Sequence, residues 1–275
     1  MAGRMLVNGV ASEVVSAADR GFSYGDGLFE SIRFVGANAP LWDRHMQRLI
    51  DSCQRLRLPL PDPAQLLREA RQVRESMAHA VVRIAWTRGV GERGYSPPAA
   101  AAPTRVVAAF PPPSMDGAAH AHGVRMRMCT LRLAEQPRLA GMKHLNRLEQ
   151  VLARAEWDDP AIAEGLLRDG DGRLVSATMA NLFAVIDGEL VTPSLTRCGV
   201  AGVARTEILA RAANAVERDM RLPDLQRASE VFLSSSVRGV VPVQSLEEWR
   251  WTPGPVTRQW QHHWRQLGFP MEQTA

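Results

Sequence analysis

Lysine is almost missing from this 275-residue chain. Of its 33 basic residues all but Lys143 are arginine. Cysteine is scarce too: Cys53, Cys129 and Cys198 are far apart and odd in number. That excludes a disulfide framework and a paired CxxC metal motif, and points to buried free thiols in a reducing compartment. No apolar run reaches the 18 or so residues of a membrane span. The opening MAGRMLVNGV has no signal-peptide core, so the expected location is cytoplasmic. The net charge is only +4 and the basic residues form no block, so no nucleic-acid partner is expected. The histidine pairs 120/122 and 262/263 lack cysteine or carboxylate at ligand spacing, so no metal site is expected. With 45% hydrophobic and 23% charged residues, disorder, collagen and coiled coil are excluded.

The patterns present are those of an α+β protein in two parts: an N-terminal α/β domain over 1–110, a linker over 111–123 and a larger C-terminal domain over 124–275. In the first, MLVNGV reads as a strand, and Leu28, Ile32 and Phe34 share one side of another. Residues 42–58 have helical spacing, with Met46, Leu49, Ile50, Cys53 and Leu56 on an apolar face. A second helix is expected over 63–78, and strands over 81–89 and 104–110. PPPSMDGAAHAHG reads as an extended connection. In the second part, 123–134 alternates like a strand. Residues 145–157 read as a helix with Leu145, Leu148, Val151, Leu152 and Ala155 on one side. Asp171-Gly172 and Asp187-Gly188 mark hairpins. A glycine-opened helix is expected over 199–216, strand–turn–strand over 230–243 and a terminal helix over 257–267.

Arginine does most surface work that lysine does, but it cannot form a Schiff base. A lone lysine in such a chain is a candidate for covalent chemistry. Lys143 stands between a predicted strand and a predicted helix, at the rim of a sheet. Partial burial and nearby arginines there would favour its neutral, nucleophilic form. GVAGVARTE opens a helix whose free N–H groups suit a phosphate. Ser234, Ser235 and Ser236 offer hydroxyls, and Arg48, on the polar side of its helix, can grip a phosphate bidentately. One amine and an anion cradle are what an aldehyde cofactor with a phosphate requires, namely pyridoxal 5′-phosphate (PLP).

With these motifs the chain resembles the fold-type IV PLP enzymes: branched-chain aminotransferases, D-amino acid aminotransferases and aminodeoxychorismate lyases. The resemblance runs from DRGFSYGDGLFES (19–31) through HMQRL, GMKHLNRLEQVLAR, MANLF (179–183) and GVAGVAR to FLSSSVRGVVPV. KHLNRLEQVLAR and TRGVGERGYS (87–96) are most similar to the lyase branch. The resemblance implies a D-amino acid aminotransferase-like fold with a C-terminal pseudo-barrel domain, and a homodimer. It gives Lys143 the Schiff base and the proton transfers, and Arg48 the phosphate. Backbone N–H groups of Val203 and Ala204 cradle that phosphate, with Ser235 or Ser236 completing the cup. Asn181 lies near the cofactor ring. Tyr24, Arg93 and Tyr95 are candidates for the substrate side.

One position departs from the family. Five residues before the asparagine of N-L-F, where a glutamate usually pairs with the pyridine nitrogen, stands Ser176. A hydroxyl cannot hold a proton on that nitrogen by charge, so the ring is a weaker electron sink. Transamination suffers most from this; an elimination that yields an aromatic product needs the sink less. A neighbouring Glu149 or Glu164 would compensate. The implied activity is conversion of 4-amino-4-deoxychorismate to 4-aminobenzoate and pyruvate. The alternatives are an aminotransferase for D- or branched-chain amino acids and a non-catalytic PLP-binding protein.

Overall fold

The structure, a computed structural model, describes residues 5–114 and 117–270. The chain forms two compact units. The first comprises the residues through Pro112 together with Met142–Asn146; the second comprises Pro113–Gly141 and the residues from Arg147 onward.

The first unit contains β1 (Met5–Val7), β2 (Val10–Ala11), α1 (Arg20–Tyr24), β3 (Gly27–Val35), α2 (Trp42–Leu56), α3 (Pro63–Arg74), β4 (His79–Thr87) and β5 (Arg105–Phe110). Its five strands form a sheet in the order β2-β1-β5-β4-β3. Period-two alternation sends Leu28, Ile32 and Phe34 to one face of β3, where each is at most 1% exposed. The apolar stripe of α2 packs on β3, and α3 packs on β5. Asp62 caps α3 by accepting from Ala64 N–H (2.9 Å), just before Pro63.

β3 is the last strand of this sheet, so one edge of its backbone needs partners. Residues 142–146 supply them. The Phe29 N–H donates to the Lys143 carbonyl (2.9 Å), and the Leu145 N–H donates to the Gly27 carbonyl (3.0 Å). These residues, expected in the C-terminal domain, belong to the first unit for that reason.

The second unit begins with a helix where an extended linker was expected: α4, Gly117–His122. It is tied down by Gln261 Nε2, which donates to the His120 carbonyl (2.8 Å). Then follow β6 (Val124–Leu133), α5 (Leu148–Arg154), β7 (Ile162–Asp169), β8 (Leu174–Ala177), β9 (Asn181–Ile186), β10 (Glu189–Pro193), α6 (Val203–Arg211), β11 (Ala215–Arg218), α7 (Leu222–Gln226), β12 (Ala228–Ser235), β13 (Gly239–Leu246), β14 (Trp249–Arg250) and α8 (Pro255–Gln266). They build a nine-stranded sheet in the order β11-β10-β9-β12-β13-β6-β7-β8, with β14 beside β13. This is the half-barrel of the expected α+β class. Both Asp-Gly turns close hairpins: β7 pairs with β8, and β9 with β10. At the second, Asp187 (φ 53°) and Gly188 (φ 83°) are both left-handed, the conformation a two-residue turn demands. Phe183 and Phe232, directly opposed on β9 and β12, stack at 5.2 Å.

Two further differences from the sequence pattern matter. The glycine-opened helix ends at Arg211, and 215–218 pairs with β10 as a strand. The apolar stripe of α5 does not face a core: Leu148, Val151 and Leu152 are 67%, 60% and 54% exposed.

Candidate active site

In the first unit, Lys143 is half-buried on the edge of β3. Its Nζ lies 4.2 Å from the centroid of the Phe29 ring. The Arg83 guanidinium carbon lies 4.2 Å from the same centroid. Arg83 comes from β4, opposite Ser31 of β3 and so on the Phe29 side of the sheet. One aromatic ring therefore seats both the amine and an arginine.

On the other face of β3, among Leu28, Ile32 and Phe34, stands Glu30, 1% exposed. Its carboxylate accepts from Arg48 Nε at Oε1 (2.9 Å) and from Arg48 Nη2 at Oε2. The same Oε2 is 2.6 Å from His45 Nδ1. Burial alone would raise the Glu30 carboxyl, but the Arg48 charge and the His45 hydrogen bond bring it down to about 2. Glu30 is therefore ionised, and Nδ1 of His45 carries the proton that it donates. Burial pushes the His45 imidazole below its ordinary value, and the charges of Arg48 and Lys143 add to this against the pull of Glu30. Arg48, expected to hold a phosphate, is thus held in place by a carboxylate that the sequence reading did not single out. A signal for Glu30 existed: it is the polar residue in the alternating stripe Leu28, Ile32, Phe34. His45 and Arg83 carried no comparable signal.

Tyr24, Arg93 and Tyr95 come from α1 and the loop after β4. Tyr24 and Tyr95 contact each other with ring centroids 5.6 Å apart. The Tyr24 hydroxyl accepts from Gly94 N–H (2.9 Å). Arg20 donates to the carbonyls of Gly94 (2.8 Å) and Tyr95 (3.2 Å), and Asp26 pairs with Arg20 (3.0 Å) and Arg88 (2.7 Å). The loop is pinned at its middle, Tyr95 is 88% exposed, and Arg93 is exposed with no ion pair among the described residues. A cleft of about 420 Å³, lined by Leu56, Leu58, Pro59, Arg88, Pro97 and Pro98, contains none of the candidate catalytic, cofactor or substrate residues.

In the second unit, Asn181 opens β9 and clamps the GVAG segment. Its Nδ2 donates to the Val200 carbonyl (2.9 Å), and its Oδ1 accepts from Gly202 N–H (3.0 Å). A Cβ on Gly202 would fall 2.1 Å from that Oδ1, so any side chain there displaces the Asn181 amide. Gly202 is the N-cap of α6 and provides no side-chain cap. Val203 and Ala204, 2% and 1% exposed, thus present uncapped first-turn N–H groups in a buried place. Ser234, paired with Asn181 across β12 and β9, has a buried hydroxyl without a partner among the described residues. The Ser235 hydroxyl accepts from the N–H groups of Val237 (3.2 Å) and Arg238 (3.4 Å), so it shapes the turn. An uncapped helix start and an orphaned hydroxyl are what a phosphate ester satisfies, and these residues fit that group.

Ser176, 9% exposed, lies on β8 opposite Leu167 of β7. Glu164, on β7 and 3% exposed, accepts from the Thr178 hydroxyl and has Arg238 at 3.6 Å. Its burial raises the carboxyl, and Thr178 and Arg238 only partly offset that. Among the described residues no group of three or more His, Cys, Asp and Glu could hold a metal ion.

The family model for amino-transferase class IV matches residues 27–246. Aminodeoxychorismate lyase of Vibrio harveyi is 36% identical over 244 residues, covering 87% of this chain and 90% of that protein. Branched-chain-amino-acid aminotransferase of Escherichia coli K12 is 30% identical over 238 residues, covering 82% of this chain and 77% of that protein. The crystal structure of 4-amino-4-deoxychorismate lyase from Pseudomonas aeruginosa superposes with a TM-score of 0.90 at 44% identity, covering 95% of this chain and 98% of that one.

Proposed function

This chain belongs to the amino-transferase class IV family, and we propose that it is the lyase that converts 4-amino-4-deoxychorismate to 4-aminobenzoate and pyruvate with PLP as cofactor. The observation that carries the reading is the single lysine of the chain, seated on the Phe29 ring beside Arg83, in a chain 36% and 44% identical to two lyases of that name.

When bound, PLP supplies an aldehyde for a substrate amine and a ring that withdraws electrons. Lys143 holds the aldehyde between turnovers. Released, its Nζ would take the proton from the ring carbon that bears the substrate nitrogen; the C–O bond to the neighbouring enolpyruvyl group would break as the ring becomes aromatic, and Nζ would return the proton to the departing enolpyruvate, giving pyruvate. Arg48 binds the cofactor phosphate. The Val203 and Ala204 N–H groups offer a second phosphate grip. The Ser234 hydroxyl completes the cup, with Ser235 and Ser236 on the turn behind it. Asn181 keeps the GVAG segment in shape, and Ser176 offers its hydroxyl to the pyridine nitrogen. The substrate carries two carboxylates. Arg83, sharing a ring with Lys143, is the partner of one, and Arg93, on its Tyr24-anchored loop beside Tyr95, of the other.

The protein acts as a homodimer in the cytoplasm. The exposed Leu148, Val151 and Leu152 on α5 support pairing with a second copy. The buried free thiols of Cys53, Cys129 and Cys198 suit a reducing compartment. No described helix is long and apolar enough to cross a membrane.

The test is to supply the purified protein with PLP and 4-amino-4-deoxychorismate and follow both products. Equal yields of 4-aminobenzoate and pyruvate support the reading. Rapid conversion of the cofactor to its amine form by an amino acid, with no 4-aminobenzoate, assigns an aminotransferase instead.

A further inference from the structure

His45 is 1% exposed, and one of its ring nitrogens is unused. Nδ1 donates to Glu30 across 2.6 Å; Nε2 is buried and makes no hydrogen bond among the described residues. A buried nitrogen without a partner is rare in a folded protein and marks a place where a ligand completes the structure. His45 and Arg48 lie three residues apart on α2, hence on one face of the helix, and both bond Oε2 of Glu30. His45 Nδ1 and Arg48 Nη2 therefore meet at one carboxylate oxygen. Three charged groups act on this imidazole: Glu30 of β3, Arg48 of its own helix, and Lys143 of the segment that edges β3.

The tautomer decides what Nε2 can do. Glu30 requires the proton on Nδ1, so Nε2 presents a lone pair. A lone pair repels an anion. With one negative and two positive charges already in the cluster, a second proton on the ring is opposed by Arg48 and Lys143. A doubly negative group at Arg48 reverses that balance. The ring then gains by taking up a proton, and Nε2 becomes a donor.

We propose that His45 is a proton-coupled anion ligand: when a dianionic phosphate or sulfate group binds at Arg48, one proton from solvent adds to His45 Nε2, which then donates a hydrogen bond to that group. The inference rests on the reading of Arg48 as the phosphate holder. It makes Glu30 a positioning residue that sets both the direction of Arg48 and the tautomer of His45.

Sulfate is the probe for the full-length protein, because it has no proton to exchange near neutral pH. In protein labelled with 15N-histidine, at pH 7 and without sulfate, His45 shows the neutral signature with hydrogen on Nδ1, the minor tautomer in water. With saturating sulfate it becomes imidazolium. Calorimetry in two buffers of different ionisation enthalpy records uptake of one proton. His45→Gln abolishes the uptake, weakens sulfate and PLP about tenfold, and leaves the affinity for pyridoxal, which lacks the phosphate, unchanged. If the wild-type protein binds sulfate with the His45 ring still neutral, the inference is overturned while the PLP reading stands. If neither sulfate nor PLP binds the wild-type protein, both fall. Should His45→Gln fail to fold, proton uptake by the wild-type protein decides alone.

Discussion

Lys143 Nζ sits 4.2 Å from the centroid of the Phe29 ring, held there because its own carbonyl is the acceptor for the Phe29 N–H. The backbone bond sets where the side chain starts, and the ring sets where it ends. Lys143→Arg preserves the backbone bond and a cation over Phe29, but removes the amine. Its melting temperature is expected to stay within a few degrees of wild type, while formation of 4-aminobenzoate falls by about 10⁴-fold or more. Borohydride reduction followed by peptide mapping should fix the cofactor on Lys143 in the wild type and nowhere in the variant.

The Glu30 cluster makes the first unit acid-sensitive. Below pH 6.5 the unfolded chain protonates His45 while the folded one resists, since burial lowers that imidazole. Stability therefore starts to fall there. From 4.5 down to about 2 the unfolded Glu30 takes a proton that the folded one refuses. This removes about 3 kcal/mol more. Urea denaturation at a series of pH values should show a monotonic loss across both windows. Glu30→Gln should flatten the lower one and cost about 3 kcal/mol at pH 7, because Arg48 is left without its counter-charge.

Gly202→Ala places a Cβ 2.1 Å from Asn181 Oδ1. Asn181 must release Gly202, and the start of α6 must shift. We expect a loss of about 2 kcal/mol and weaker PLP binding, read from thermal melts with and without cofactor.

Ser176→Glu restores a carboxylate at the position where the family usually has one. The pyridine ring then holds its proton by charge and becomes a stronger sink. Conversion of the cofactor to its amine form by added amino acids is expected to rise severalfold, with a smaller change in 4-aminobenzoate formation. Stopped-flow absorbance separates the two rates.

Replacing Leu148 and Leu152 by arginine puts charge on the exposed stripe of α5. Light scattering is expected to move from twice the 30.3 kDa chain mass to once.

Much of this was legible in the chain itself. Lys143 stood out by count, since it is the one amine among the basic residues. The Asp171-Gly172 and Asp187-Gly188 hairpins were legible because turn geometry is local: left-handed backbone at a tight turn selects those residues. The apolar face of α2 and the alternation of β3 were legible because burial on one side imposes a period.

What failed failed where partners are distant. Periodicity showed that α5 has an apolar stripe, but not that the stripe faces outward; a helix reports its own amphipathicity, not what covers it. Residues 142–146 carry nothing that assigns them to the first unit. That follows from the open edge of β3, more than a hundred positions earlier in the chain. That the Ser235 hydroxyl accepts from the Val237 and Arg238 N–H groups was likewise visible only in the turn geometry.

The sequence by itself determined the chemistry on offer, one amine and a helix start opened by glycines, because those depend on residue types and short spacings. The tertiary structure decided which charges share an oxygen. Glu30, His45 and Arg48 meet only when α2 packs on β3. In that dry interior one carboxylate orders two side chains, since charges out of water are little screened and interact strongly with whatever the fold brings beside them.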